Sequence, residues 1–117
     1  MSSINTIIVS DWHLGTSIAR AEQINQFLDK IIAGKLVAKK FVLNGDILDL
    51  NWGKLEKILE DNREILKKLV KIDQLGVHVV YILGNHDPLT KKQVGVVHKY
   101  LDKLGDNQIE IHHGYQL

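Results

Sequence analysis

The chain contains no cysteine among its 117 residues, so neither disulfide bonds nor thiolate metal ligands are available to it. A protein without disulfides suits a reducing compartment. The first residues lack a basic segment followed by a long apolar stretch, and no apolar run approaches the roughly 20 residues needed to span a bilayer. We therefore expect an intracellular, cytoplasmic protein.

A marked excess of charge of either sign is absent too. Fifteen Lys and Arg residues against 14 Asp and Glu residues give a formal net charge of +1. Charge alone therefore neither requires nor excludes a nucleic-acid partner, and the lysine-rich stretches at 35–40 and 67–71 have the pattern of solvated faces. A hydrophobic content of 44% is sufficient for the core of one domain.

Short apolar runs alternate with helical patterns along the whole chain. The runs at 4–9, 41–43 and 77–83 predict buried strands, and the alternation at 108–112 predicts a fourth. Apolar residues recur at helical spacing after a cap at Thr16 or Ser17, from 54 to about 74, and from the T-x-x-Q capping box of Thr90 and Gln93 to about 104. This order predicts a single α/β domain, residues 1–117, built from βαβ units with a parallel sheet.

Polar residues follow the end of each predicted strand. The carboxyl ends of parallel strands lie at one edge of the sheet, so groups that are distant in sequence converge there. The third run is followed by Asn85, His86 and Asp87, and Pro88 prevents the strand from continuing. The other polar tips are residues 11–13, 46–49 and 112–113.

These residue types form a mixed oxygen and imidazole set, which suits Mn²⁺, Fe, Zn²⁺ or a similar divalent ion. Asp11 and His13 are two residues apart on a turn and are placed to share one ion. Asp46 is the natural bridging carboxylate if two ions lie about 3.5–4 Å apart, and Asn85 would serve the second ion. The competing interpretation is ordinary turn chemistry, because Asp, Asn and Gly are common after strands.

Three blocks in order resemble the signature of the calcineurin-like metallophosphoesterase family. They are D-x-H at 11–13, G-D-x-x-D at 45–49 and G-N-H-[DE] at 84–87. The resemblance implies an α/β/β/α sandwich of four layers, of which this chain covers the βαβαβαβ half. It also implies two divalent metal ions, Mn²⁺ first, with Fe, Zn²⁺ or Ni²⁺ as alternatives.

The resemblance implies a role for each matching residue. Asp11 and His13 bind one metal, Asp46 bridges and Asn85 binds the other. His86 protonates the leaving oxygen, Asp49 orients the His86 imidazole, and Asp87 supports the site. His113 matches the next metal ligand of the family, with the adjacent His112 as the alternative.

The implied activity is hydrolysis of a phosphomonoester, phosphodiester or pyrophosphate by a hydroxide that two metal ions activate. Two departures qualify it. Leu50 stands where the protein Ser/Thr phosphatases of this family have an arginine, which argues against that subtype. The family's Gly-His-x-His block is not present in these 117 residues, so we expect an incomplete domain that self-associates or has a missing C-terminal half. A non-catalytic binding or scaffold module that keeps this fold is the alternative.

Overall fold

The computed structural model describes residues 4–16, 20–50, 53–84 and 87–113. Four strands alternate with four helices in this part of the chain. The strands are β1 (Ile4–Val9), β2 (Ala38–Asn44), β3 (His78–Leu83) and β4 (Glu110–His113). The helices are α1 (Ala21–Ile32), α2 (Leu55–Asp61), α3 (Arg63–Gln74) and α4 (Lys91–Leu104).

The strands form one parallel sheet in the order β1-β2-β3-β4. Each connection moves to the next strand in the same direction, and right-handed crossovers then place the helices on one face. The residues that point towards the helices include Phe41 and Val79, which are register partners and are both completely buried. The predicted α/β class and the predicted alternation of helices with one parallel sheet are confirmed, with the second predicted helix divided into α2 and α3.

The opposite face of the sheet carries a row of paired residues, Ile8, Val42, Val80 and Glu110, which we call the open face. Val42 and Val80 are buried, whereas Ile8 on the edge strand is 63% exposed. The Glu110 carboxylate contacts the imidazoles of His112 and His78, and these two hydrogen bonds hold the pKa of Glu110 below its usual value. No helix in the described part of the chain has the length and apolar character needed to cross a membrane.

The predicted single helix from 54 to 74 is wrong, because the structure divides it into α2 and α3 at Asn62. Asn62 leaves the helical conformation, with φ −112° and ψ 24°. Its side-chain Nδ2 donates a hydrogen bond to Ile58 O at 2.8 Å, so the amide competes for a carbonyl of the helix. The apolar spacing continues through this position, which is why the pattern did not indicate the break.

Helix ends follow their local signals in two places and not in a third. Thr90 and Gln93 form the predicted capping box of α4, and Gly34 adopts a left-handed φ of +78° after α1. The start of α1 is later than predicted, since it begins at Ala21 after Arg20. The Thr16 hydroxyl instead donates to His13 O at 2.8 Å, and Ser17 lies outside the described residues.

Candidate metal centre

The loops that follow β1 and β2 lie side by side and continue the pairing of the two strands. His13 N donates to Asp46 O at 2.9 Å, and Leu14 N donates to Ile47 O at 2.8 Å. Asp49 N donates back to Leu14 O at 2.9 Å. Because Leu14 and Ile47 are buried in the core, the two polar tips are attached to the interior of the protein rather than free in solvent.

Asp11, His13 and Asp46 converge as predicted from their positions after β1 and β2. One donor atom from each lies within 4.8 Å of the other two, and His13 Nε2 is 3.7 Å from Asp11 Oδ1. Two carboxylates and an imidazole are donors that a divalent first-row metal ion accepts. The residues present therefore fit a divalent metal ion.

The backbone at these three residues supports a functional interpretation. Among the described residues other than glycine, Asp11, His13 and Asp46 are the ones with positive φ, at +60°, +48° and +56°. Asp and His tolerate this region better than most residues, but each still costs energy that surrounding structure must offset. The coincidence of all three left-handed residues with the predicted ligands is hard to obtain from turn chemistry alone.

Asp49 contacts one of the three candidate metal ligands, His13. Its side chain is 5% exposed, and Asp49 Oδ2 lies 3.1 Å from His13 Nδ1. A carboxylate on one ring nitrogen selects the tautomer that leaves the other nitrogen, here Nε2 beside Asp11, available to a metal. The sequence did not indicate this pairing, since 36 residues separate the two side chains.

Asp87 is completely buried and forms hydrogen bonds with the loop that follows β2. Its Oδ1 accepts hydrogen bonds from Asp46 N at 3.1 Å and Gly84 N at 2.6 Å. Its Oδ2 accepts from Ile47 N at 3.0 Å, from the more distant Leu48 N at 3.3 Å and from the Tyr81 hydroxyl. Asp87 is therefore hydrogen-bonded to the backbone that carries Asp46, and its predicted supporting role would act through this contact.

Tyr81 belongs to the same buried network, and sequence reasoning missed it. Burial, followed by the charge of Asp87 and the hydrogen bond to it, raises the pKa of the Tyr81 hydroxyl well above its usual value. The only available signal was a hydroxyl-bearing residue within an apolar strand. Such a group needs a partner when it is buried.

Gly45 and Gly84 allow the loops after β2 and β3 to approach backbone to backbone. A Cβ added to Gly84 would lie 2.8 Å from Asp46 N and 2.9 Å from Gly45 Cα. Gly45 also adopts φ +82°. The glycines of the second and third sequence blocks are therefore required by close packing directly beneath Asp46.

The remaining predicted residues are only partly described. Asn85 and His86 lie outside the described residues, so their roles stay predictions. His113 is the register partner of Leu83 at the carboxyl end of the sheet. His112 pairs with Ile82 and bonds to Glu110 Oε1 at 2.8 Å. Within the described part of the chain neither histidine belongs to the three-residue group, and the choice of His113 stays a prediction.

These features define an α/β protein with a carboxylate and imidazole metal site at the carboxyl edge of a parallel sheet. The family model of the calcineurin-like phosphoesterases matches residues 4–115, and the chain belongs to that family. A search of curated proteins returned no match. The family is one of metal-dependent phosphoester hydrolases, and Asp11, His13 and Asp46 form the candidate ligand cluster.

Proposed function

We propose that this protein hydrolyses a phosphate ester, either a monoester, a diester or a pyrophosphate, at the Asp11, His13 and Asp46 cluster. The observation that carries the proposal is the convergence of these three residues in left-handed backbone conformations, in a chain of this family. Oxygen ligands predominate in the full predicted set, which favours Mn²⁺ over Fe, Zn²⁺ or Ni²⁺.

Two divalent ions at this site would supply a hydroxide nucleophile and neutralise the phosphoryl oxygens. Asp11 and His13 would hold one ion, Asn85 and His113 the other, and Asp46 would bridge them. His86 would donate a proton to the leaving oxygen. Asp49 keeps His13 Nδ1 engaged at 3.1 Å, and we propose that the same carboxylate also orients His86.

Metal removal tests the function directly. We expect the purified protein to contain Mn²⁺ by elemental analysis and to hydrolyse bis-p-nitrophenyl phosphate. Chelation should reduce turnover to the uncatalysed rate, and added Mn²⁺ should restore it, because hydroxide generation depends on the ions. Absence of turnover with each of Mn²⁺, Fe²⁺, Zn²⁺ and Ni²⁺, in a protein that is folded by circular dichroism, would favour the non-catalytic binding module instead.

We also propose that the open face is covered in the working protein, either by a second copy or by the second sheet that the four-layer sandwich requires. The support is the 63% exposure of Ile8 on an edge strand. The 117-residue protein should then self-associate, with a weight-average mass in sedimentation velocity that rises with concentration. Ile8→Lys should shift it towards monomer, while Lys39→Gln should not; a monomeric parent at every concentration would contradict the proposal.

We place the protein in the cytoplasm on its lack of cysteine, which fractionation of the source cells would check.

A further inference from the structure

A cavity of about 340 Å³ opens beside the candidate ligand cluster of Asp11, His13 and Asp46, between the end of β1 and the first turn of α1. Its volume is within the range of small-molecule sites. Asp11 belongs both to the wall of this cavity and to the metal cluster. When the phosphate of a substrate lies at the cluster, the rest of that substrate therefore lies next to this cavity.

The inner wall of the cavity is aromatic and held in place by the core. Trp12 and Phe27 both line it, and both pack edge-on against the completely buried Phe41. The ring centroids are 6.5 Å and 6.3 Å from that of Phe41, at interplanar angles of 72° and 62°. Trp12 and Phe27 are only half-buried, so part of each ring remains available to a ligand.

The outer wall is polar and carries a cation. Arg20 and Gln23 line it from the start of α1, and both are exposed. The Arg20 guanidinium forms no ion pair with any residue in the described part of the chain. A guanidinium in the same cavity as two aromatic rings suits a planar ligand that presents a carboxylate, phosphate or carbonyl oxygen.

We propose that this cavity binds the leaving group of the ester, and that the group is a planar aromatic ring bearing an anionic or carbonyl acceptor. The ring lies against Trp12 and Phe27, and the Arg20 guanidinium donates hydrogen bonds to the acceptor oxygen. The assignment to a leaving group rests on the proposed phosphoesterase function, whereas binding of such a ring in the cavity does not. An alkyl ester lacks the flat face and is the poorer substrate.

Binding is tested without metal or turnover. The chain has two tryptophans, so Trp52→Phe leaves the Trp12 indole as the only indole N–H signal in a ¹H–¹⁵N spectrum. In the presence of chelator, titration with benzoate should shift this signal. Benzoate should bind about tenfold more tightly than cyclohexanecarboxylate, which has the same charge without the flat ring.

Two variants separate the parts of the cavity. Arg20→Gln should weaken benzoate binding about tenfold, because a charge-assisted hydrogen bond is lost. Lys30→Gln removes an exposed cation from α1, outside the cavity, and should leave the affinity for benzoate unchanged. Phe27→Leu should abolish the preference for benzoate over cyclohexanecarboxylate while retaining the fold.

Equal binding of the two carboxylates, or benzoate binding that is unchanged by Arg20→Gln, would overturn the cavity assignment even if the protein hydrolyses phosphate esters. Selective benzoate binding by a protein that turns over no ester would support the cavity and contradict the phosphoesterase proposal. With an active protein, Arg20→Gln should raise KM for 4-carboxyphenyl phosphate and leave KM for methyl phosphate unchanged. The two proposals therefore fail in different experiments.

Discussion

Asp87→Asn should lower the free energy of unfolding by about 3 kcal/mol or more, a large part of the roughly 5–15 kcal/mol that stabilises a domain. The two carboxylate oxygens accept four backbone N–H groups and the Tyr81 hydroxyl in a completely buried position. An amide replaces one acceptor oxygen by an NH₂ donor. Buried donors are then left facing a donor, which costs more than the loss of a solvated hydrogen bond.

Denaturant unfolding followed by circular dichroism measures this loss. Asp102→Asn is the matched control, because Asp102 is exposed on α4, and its effect should stay within about 0.5 kcal/mol. If Asp87→Asn prevents folding altogether, Tyr81→Phe remains informative, since it removes a single donor and should cost about 1 kcal/mol. Asp87→Asn as stable as the Asp102 control would show that the network does not stabilise the fold.

The Tyr81 hydroxyl adds a pH dependence with a definite sign. Its pKa is raised in the folded protein, so the folded state binds the proton more tightly than the unfolded chain, whose pKa is near 10.0. The resulting stability is complete below the unfolded pKa and is lost as the pH rises from that value towards the folded one. Tyr81→Phe should therefore reduce the loss of stability above pH 10.0 in unfolding curves recorded at increasing pH.

Asp46→Asn should abolish metal binding without unfolding the protein. Asn tolerates the left-handed backbone of Asp46, at φ +56°, and keeps the side-chain shape while removing the charge. Loss of an outer partner alone weakens metal sites about 10–100-fold, so loss of the negative charge and of one of the two ligand oxygens of Asp46 should exceed about 100-fold. Calorimetric titration with Mn²⁺ measures the affinity, and ester turnover should fall to the uncatalysed rate.

A graded series distinguishes a ligand from its support. Asp49→Asn should weaken Mn²⁺ binding about 10–100-fold, because it replaces the carboxylate 3.1 Å from His13 Nδ1 by a neutral amide, which is a weaker acceptor, but changes no donor of the three-residue cluster. Asp46→Ala should in addition lose about 1–2 kcal/mol of stability relative to Asp46→Asn, since Ala disfavours positive φ. Mn²⁺ affinity unchanged in Asp46→Asn would place the metal elsewhere.

The sequence predicted much of this arrangement because the relevant signals are local. Apolar runs identified the strands, and the capping box at Thr90 and Gln93 began α4 where expected. The break at Asn62 was missed because a side-chain hydrogen bond to Ile58 O interrupts the helix without disturbing its apolar spacing. Asp11, His13 and Asp46 were predicted together because parallel strands bring their carboxyl ends to one edge.

By itself, the sequence determined the order of strands and helices and the kinds of ligand that follow each strand, since propensity, capping and periodicity act over a few residues. Only the tertiary structure decided which atoms meet. The contact of Asp49 with His13 spans 36 residues, and that of Asp87 with Asp46 N spans 41. Such contacts depend on loop backbones that pair across strands and on glycines that let them approach. No local pattern specifies that geometry, because it exists only when the sheet has assembled.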